Sequence, residues 1–142
     1  MNFLFIAPIE KIEEYFFYYK TVYDSLVNKE LIILDNWISQ VDISNGYKLR
    51  DIEKRAGVFY ESYRENLKEA DFIICDTSVR SRTVQYQIAM ALFAEKPTLC
   101  IRKNDGSGVS GILTKIKDKN LTIKEYHDIP SLKRIIKLFV KN

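Results

Sequence analysis

Two loops carry residue types that hold anions. The first, Asp76-Thr77-Ser78-Val79-Arg80-Ser81-Arg82, follows the apolar run Phe72-Ile73-Ile74-Cys75 and leads into a helical pattern. Hydroxyls beside the free N–H groups of a helix start, with the helix dipole behind them, form a ready anion site. Arg80 and Arg82 would add charge-assisted contacts to a phosphate. The plainer alternative is that Ser81 is an N-cap and both arginines are solvated. The second loop, residues 104–111, is glycine-rich and also feeds a helical pattern. It lacks the Gly-Lys-Ser/Thr ending of a phosphate loop and lies too late in the chain for a dinucleotide fingerprint. A surface loop without function is its other reading. Gln85 and Gln87 stand at the mouth of the helix after the first loop, where an enzyme would carry a carboxylate.

Other chemistries find few residues to use. The single His127 excludes a credible Ser-His-Asp set, and it has no Cys or His at ligand spacing, so no metal is expected. Cys75 and Cys100 sit in the apolar runs FIIC and TLCI and read as reduced core residues. No cofactor is expected. Among the carboxylates, Asp76 at a strand end looks placed for chemistry. Asp71 reads as structural, and Glu61 and Glu65 as a solvated pair on one helix face. The net charge of +3 is too small to argue for nucleic acid by itself, and none is expected. No apolar run approaches the roughly 20 residues that span a bilayer. The opening MNFLFIAPIEKIEE lacks a basic n-region and turns acidic early, so it reads as the first strand of a cytoplasmic protein.

The elements that position these loops follow from periodicity. Strands are expected at 3–6, 31–34, 72–75, 97–102 and 121–126. Helices are expected at 10–28, at 49–70 with a break at Gly57, at 82–94, at 112–117, and from a Ser131 cap to about residue 140. Residues 35–47 read as a polar loop. Strands alternating with helices imply βαβ units and a parallel sheet, and the continuous apolar strands fit a sheet covered on both faces. The expected fold is α/β, a Rossmann-like three-layer sandwich with a five-stranded parallel sheet, in one domain over residues 1–142. Ligands of such sheets bind at the carboxyl ends of the strands, at the switch in strand order. The run YFFYY, Tyr15 to Tyr19, goes right round its helix, so its outer aromatics are expected either in water or against a second subunit.

The motifs resemble those of a known family. Leu67-Lys68-Glu69-Ala70-Asp71-Phe72-Ile73-Ile74-Cys75-Asp76 is similar to the Leu-x-x-Ala-Asp, four-apolar, acidic segment of nucleoside 2-deoxyribosyltransferases and of their relatives, the 2′-deoxynucleoside 5′-monophosphate N-glycosidases. Ser81-Arg82-Thr83-Val84-Gln85-Tyr86-Gln87-Ile88-Ala89-Met90-Ala91, then Lys96-Pro97, resembles their Ser-x-Gly-x-Gly-Tyr-Glu-ϕ-Gly-x-Ala helix and Lys-Pro strand. Phe5-Ile6-Ala7-Pro8-Ile9 looks like the first strand, and Val109-Ser110-Gly111-Ile112 like the serine-bearing helix start of the hydrolases. The resemblance implies cleavage of a deoxyribose–base bond through a glutamate nucleophile, in a dimer or higher oligomer.

The departures bear on function. The nucleophile position is Gln87, and a neutral amide cannot attack as a carboxylate does. Tyr63 stands where the family has an aspartate, eight residues before Asp71. Thr83 and Gln85 replace glycines, and Phe3 or Leu4, with Glu10, replace the first-strand tyrosine and arginine of the hydrolases. Ser81 and Ser110 resemble the phosphate-contacting serines, the second supplied by the neighbouring subunit. The expected ligand residues are therefore Ser81, Ser110, Arg80, Arg82, Tyr86, Ala7 and Pro8. The expected ligand is a nucleotide or nucleoside-like small molecule, bound with cleavage lost or altered. Two alternatives stand beside this: an active N-glycosidase or deoxyribosyltransferase using a substitute carboxylate such as Asp76 or Glu61, and an oligomeric interaction protein with a vestigial pocket.

Overall fold

Alternate residues of each apolar run point to opposite faces of one sheet, and both faces are dry. A computed structural model describes residues 1–27, 31–49, 52–104, 113 and 115–141, and for 49 and 52–60 the backbone alone. The central strands are β1 (Asn2–Ile6) and β5 (Phe72–Asp76), followed outward by β6 (Thr98–Lys103) and β7 (Leu121–Tyr126), with β2 (Ile32–Ile33) on the other side of β1. The order is β2-β1-β5-β6-β7, and every pair is parallel. The α/β sandwich expected from the alternation of runs is the one observed.

One face is covered by α1 (Ile12–Val27) and α4 (Ile129–Lys141), the other by α2 (Ile52–Glu69) and α3 (Arg82–Phe93). Phe3, Phe5, Phe72, Ile74, Leu99 and Ile101 meet the first layer. Leu4, Ile6, Ile73, Cys75 and Cys100 meet the second. This is the packing that demands unbroken apolar strands, because neither pleat face reaches water. The two thiols face each other across paired strands, Cys75 opposite Cys100.

Several local expectations change. Residues 35–47 are not a plain loop. They hold two single 3₁₀ turns, at Ile38–Gln40 and Ile43–Asn45, and β3 (Val41–Asp42), which pairs antiparallel with β4 (Lys48–Leu49). Gly46, at φ 69°, makes the left-handed step that this turn needs. Trp37 gives the segment its anchor: it is buried, and its indole N–H donates to the Phe5 carbonyl at 2.9 Å. α2 runs through Gly57 without a break. α4 begins before Ser131, because Asp128 is the cap: its Oδ1 accepts from Ser131 N at 2.9 Å, while Ser131 Oγ accepts from Asp128 N. That reciprocal pair is a capping box, and Pro130 sits in the first turn where its missing N–H costs nothing. The helix expected at 112–117 lies outside the described residues except for Leu113 and residues 115–117.

The YFFYY run resolves largely inward. Tyr15, Phe16 and Tyr19 are buried, and Tyr18 packs on Tyr126 with Lys103 Nζ 5.0 Å from its ring centre. Phe17 alone of the five stands out, 62% exposed.

Ile88 lies on the inner face of α3 and is fully buried among the residues of the second layer. Ile88→Ala is expected to cost about 2–5 kcal/mol. The check is the urea midpoint, which should fall while the slope of the transition stays unchanged.

Candidate functional site

The strand order reverses between β1 and β5, so the crevice belongs at the carboxyl ends of those two strands. Pairing ends at Ile6 opposite Cys75, and the next residues are Ala7 and Pro8 on one side and Asp76 and Thr77 on the other. Pro8 is buried, and its carbonyl accepts from the Tyr19 hydroxyl at 3.0 Å. Helix α1 thereby fixes the first loop.

Asp76 anchors the second loop. It has no exposed surface. Its Oδ1 accepts from Ser78 N at 2.8 Å and its Oδ2 from the Tyr126 hydroxyl at 2.9 Å. Ser78 Oγ accepts in turn from Lys103 N at 2.8 Å and lies 3.4 Å from the Tyr126 hydroxyl. Thr77 donates to the Ile101 carbonyl through both its N–H and its hydroxyl. One carboxylate thus joins the ends of β5, β6 and β7. Desolvation pushes the Asp76 carboxyl up to about 6, against the pull of the Ser78 and Tyr126 hydrogen bonds. Burial, then the Asp76 charge, pushes the Tyr126 and Tyr19 phenols far above the usual range.

From this anchor the chain runs to Arg80, exposed, and Ser81, buried. Ser81 caps α3: its Oγ accepts from Val84 N at 3.3 Å. The serine read as an anion ligand is therefore also the N-cap. Arg82 is exposed beside it.

Gln87 and Tyr63 come together. Both are buried, and the Tyr63 hydroxyl donates to the Gln87 carbonyl at 2.6 Å. Burial pushes the Tyr63 phenol far up, so it stays neutral. Tyr86, one position from Gln87, is turned about 100° round the helix. It is 52% exposed and lines a groove of about 750 Å³ between α2 and α3, with Arg64, Leu67, Met90 and Phe93. The structure does not bring Tyr86 to the Asp76 loop. Ser110 and the rest of the glycine-rich loop from 105 lie outside the described residues. Glu61 and Glu65 are exposed on α2. Among the described residues no cluster of three His, Cys, Asp or Glu could hold a metal.

Comparison with known proteins gives the frame. No family profile matches the chain. A curated 5-hydroxymethyl-dUMP N-hydrolase from Branchiostoma floridae is 32% identical over 78 residues, which span 54% of this chain and 73% of that protein. The chain belongs to the nucleoside 2-deoxyribosyltransferase-like superfamily. The structure of the Clostridium botulinum CMP N-glycosidase BcmB shares the fold, with a TM-score of 0.65 at 15% identity over 96% of this chain and 98% of that one. In this nucleoside 2-deoxyribosyltransferase-like chain, Tyr63 of α2 is bonded to α3 through the backbone carbonyl of Gln87.

Tyr126, Ser78 and Tyr19 were not among the residues singled out from sequence. The only signal for them was a tyrosine closing an otherwise ordinary strand and a hydroxyl two residues past Asp76.

The Asp76 carboxyl sets a pH dependence of stability. Its folded value of about 6 lies above the unfolded 3.8. The native state therefore holds a proton that the unfolded chain has released, so this contribution is full below pH 3.8 and is lost as pH rises through 6. Between pH 4 and 7 it amounts to about 2 kcal/mol. Urea unfolding of the wild type and of Asp76→Asn across this range should show a difference that tilts in favour of the wild type toward acid. A difference flat with pH would refute the assignment.

Proposed function

We propose that this chain binds a nucleotide or a related phosphorylated ligand at the carboxyl-end crevice, with N-glycosidic cleavage lost or altered. The carrying observation is that the two buried positions 63 and 87 hold a tyrosine and a glutamine. Cleavage of a glycosidic bond needs a carboxylate that attacks or stabilises an oxocarbenium-like carbon. The pair offers a neutral amide and a neutral phenol. Ser81 at the start of α3, flanked by exposed Arg80 and Arg82, supports an anion contact. The alternative of an active enzyme using Asp76 needs that buried carboxylate to leave both of its hydrogen bonds. Two relatives supply the probes: 5-hydroxymethyl-dUMP and CMP, from the printed activities of the similar proteins.

Calorimetric titration should show binding of one of these monophosphates, weakened at least tenfold in Arg82→Ala. Chromatography should find no release of free base by the wild type above the buffer blank. Gln87→Glu should raise release at least tenfold where the remaining site is intact. Rapid release by the wild type, abolished in Gln87→Ala, would overturn the reading of Gln87 as a binding residue.

Self-association through the α2–α3 face is part of the same proposal, with residues 1–142 acting as one domain in the cytoplasm. Phe93 is 91% exposed and lies with Tyr86 and Met90 along the groove. An apolar patch of this kind on a helix pair supports a homodimer. Sedimentation at tens of micromolar should give a dimer, and Phe93→Glu a monomer with unchanged circular dichroism. A wild type that sediments as a monomer would remove this part.

A further inference from the structure

The small net charge is the difference of two unlike parts. Residues 1–100 hold 12 Lys and Arg against 15 Asp and Glu, whereas residues 101–142 hold 10 against 4. The last third is thus +6 on a chain of +3. The fold gathers that charge: β7 is the free edge of the sheet, and α4 packs against β7 and α1.

The acids of this region are held in hydrogen bonds or an ion pair, and Asp128 also feels the charge of Arg134. Asp118 Oδ1 accepts from Asn120 N at 2.8 Å. Glu125 is bridged by Arg102. Asp128 caps α4, and its carboxyl is held below its ordinary range by the Ser131 hydrogen bonds. Asp105 lies outside the described residues. The cations, by contrast, are exposed. Lys124 projects from β7, and Lys133, Arg134, Lys137 and Lys141 occupy the outer side of α4. Among the described residues none of these five is in an ion pair.

Their spacing and setting choose between partners. Lys133, Lys137 and Lys141 follow at four-residue intervals, about 6 Å apart along the helix axis. The phosphates of a duplex strand rise about 3.4 Å each along the axis while winding round it, so a short row of long, exposed lysines can reach the phosphates of a strand that crosses it. A lipid surface would instead engage the apolar side of an amphipathic helix. That side of α4 is spent: Leu132 and Ile136 are fully buried in the core, which leaves Leu138 as the large apolar side chain exposed on the helix among the described residues.

We propose that the β7–α4 face binds the phosphate backbone of a nucleic-acid duplex without sequence preference. The face is distinct from the crevice, which lies at the carboxyl ends of β1 and β5, so the inference stands or falls independently of the nucleotide reading.

The test is fluorescence anisotropy of a labelled mixed-sequence 20-base-pair duplex, with the full chain, between 25 and 200 mM NaCl. Binding should be micromolar at 50 mM salt, and log K should fall against log[salt] with a slope of about −4, as expected for four or five phosphate contacts. Lys133→Glu with Lys137→Glu should weaken binding at least tenfold, with an unchanged thermal midpoint. Lys11→Glu with Lys48→Glu, the same charge change at exposed sites elsewhere, should weaken it less than twofold. Absence of binding at 50 mM salt, equal losses in the two double variants, or binding to phosphatidylserine vesicles but not to the duplex would each overturn the proposal.

Discussion

A single buried carboxylate holds the working end of the sheet together. Asp76 closes β5, receives the phenol of Tyr126 from β7, and fixes Ser78, whose hydroxyl is tied to the backbone of Lys103 at the end of β6. Parallel strands have no hairpin to fix their ends relative to one another. Here a polar network does so, inside a shell of aromatic side chains. The carboxylate carries the cost of desolvation, which appears as its raised protonation range. In return, the loop leading to Ser81 starts from a defined position, and α3 starts from a defined cap.

The sheet was legible because its strands are pure apolar runs: FIIC and TLCI have no amphipathic alternation to mistake for a half-exposed strand. α3 was legible from its period and its capping serine. The segment 35–47 was not, because its order comes from one distant contact, Trp37 to the Phe5 carbonyl, which no local pattern announces. The cap of α4 lies three residues before the serine that the sequence suggests, because Ser131 and Asp128 share the capping bonds. At the site, the loop between β5 and α3 could be read from the motif. The phenol of Tyr126, fifty residues from Asp76, could not, because β7 is positioned only by the sheet order.

Tyr63 and Gln87 are both buried, and the Tyr63 hydroxyl donates to the backbone carbonyl of Gln87. An unpaired charge or a gap at either buried position would be costly. A tyrosine long enough to reach the backbone of the facing helix fills the space and satisfies its own hydroxyl. The two helices α2 and α3 are thereby bolted together by a neutral hydrogen bond.

The two edges of the sheet differ in a way that bears on solubility. β2 is only two residues long, too short to recruit another strand. β7 is six residues long, and its outer backbone groups would template pairing with a neighbouring chain. Lys124 and the Arg102–Glu125 bridge stand along that edge. A second copy approaching it edge to edge would bring lysine against lysine and strip water from an ion pair, so the strand most open to aggregation is also the one that its own charge guards.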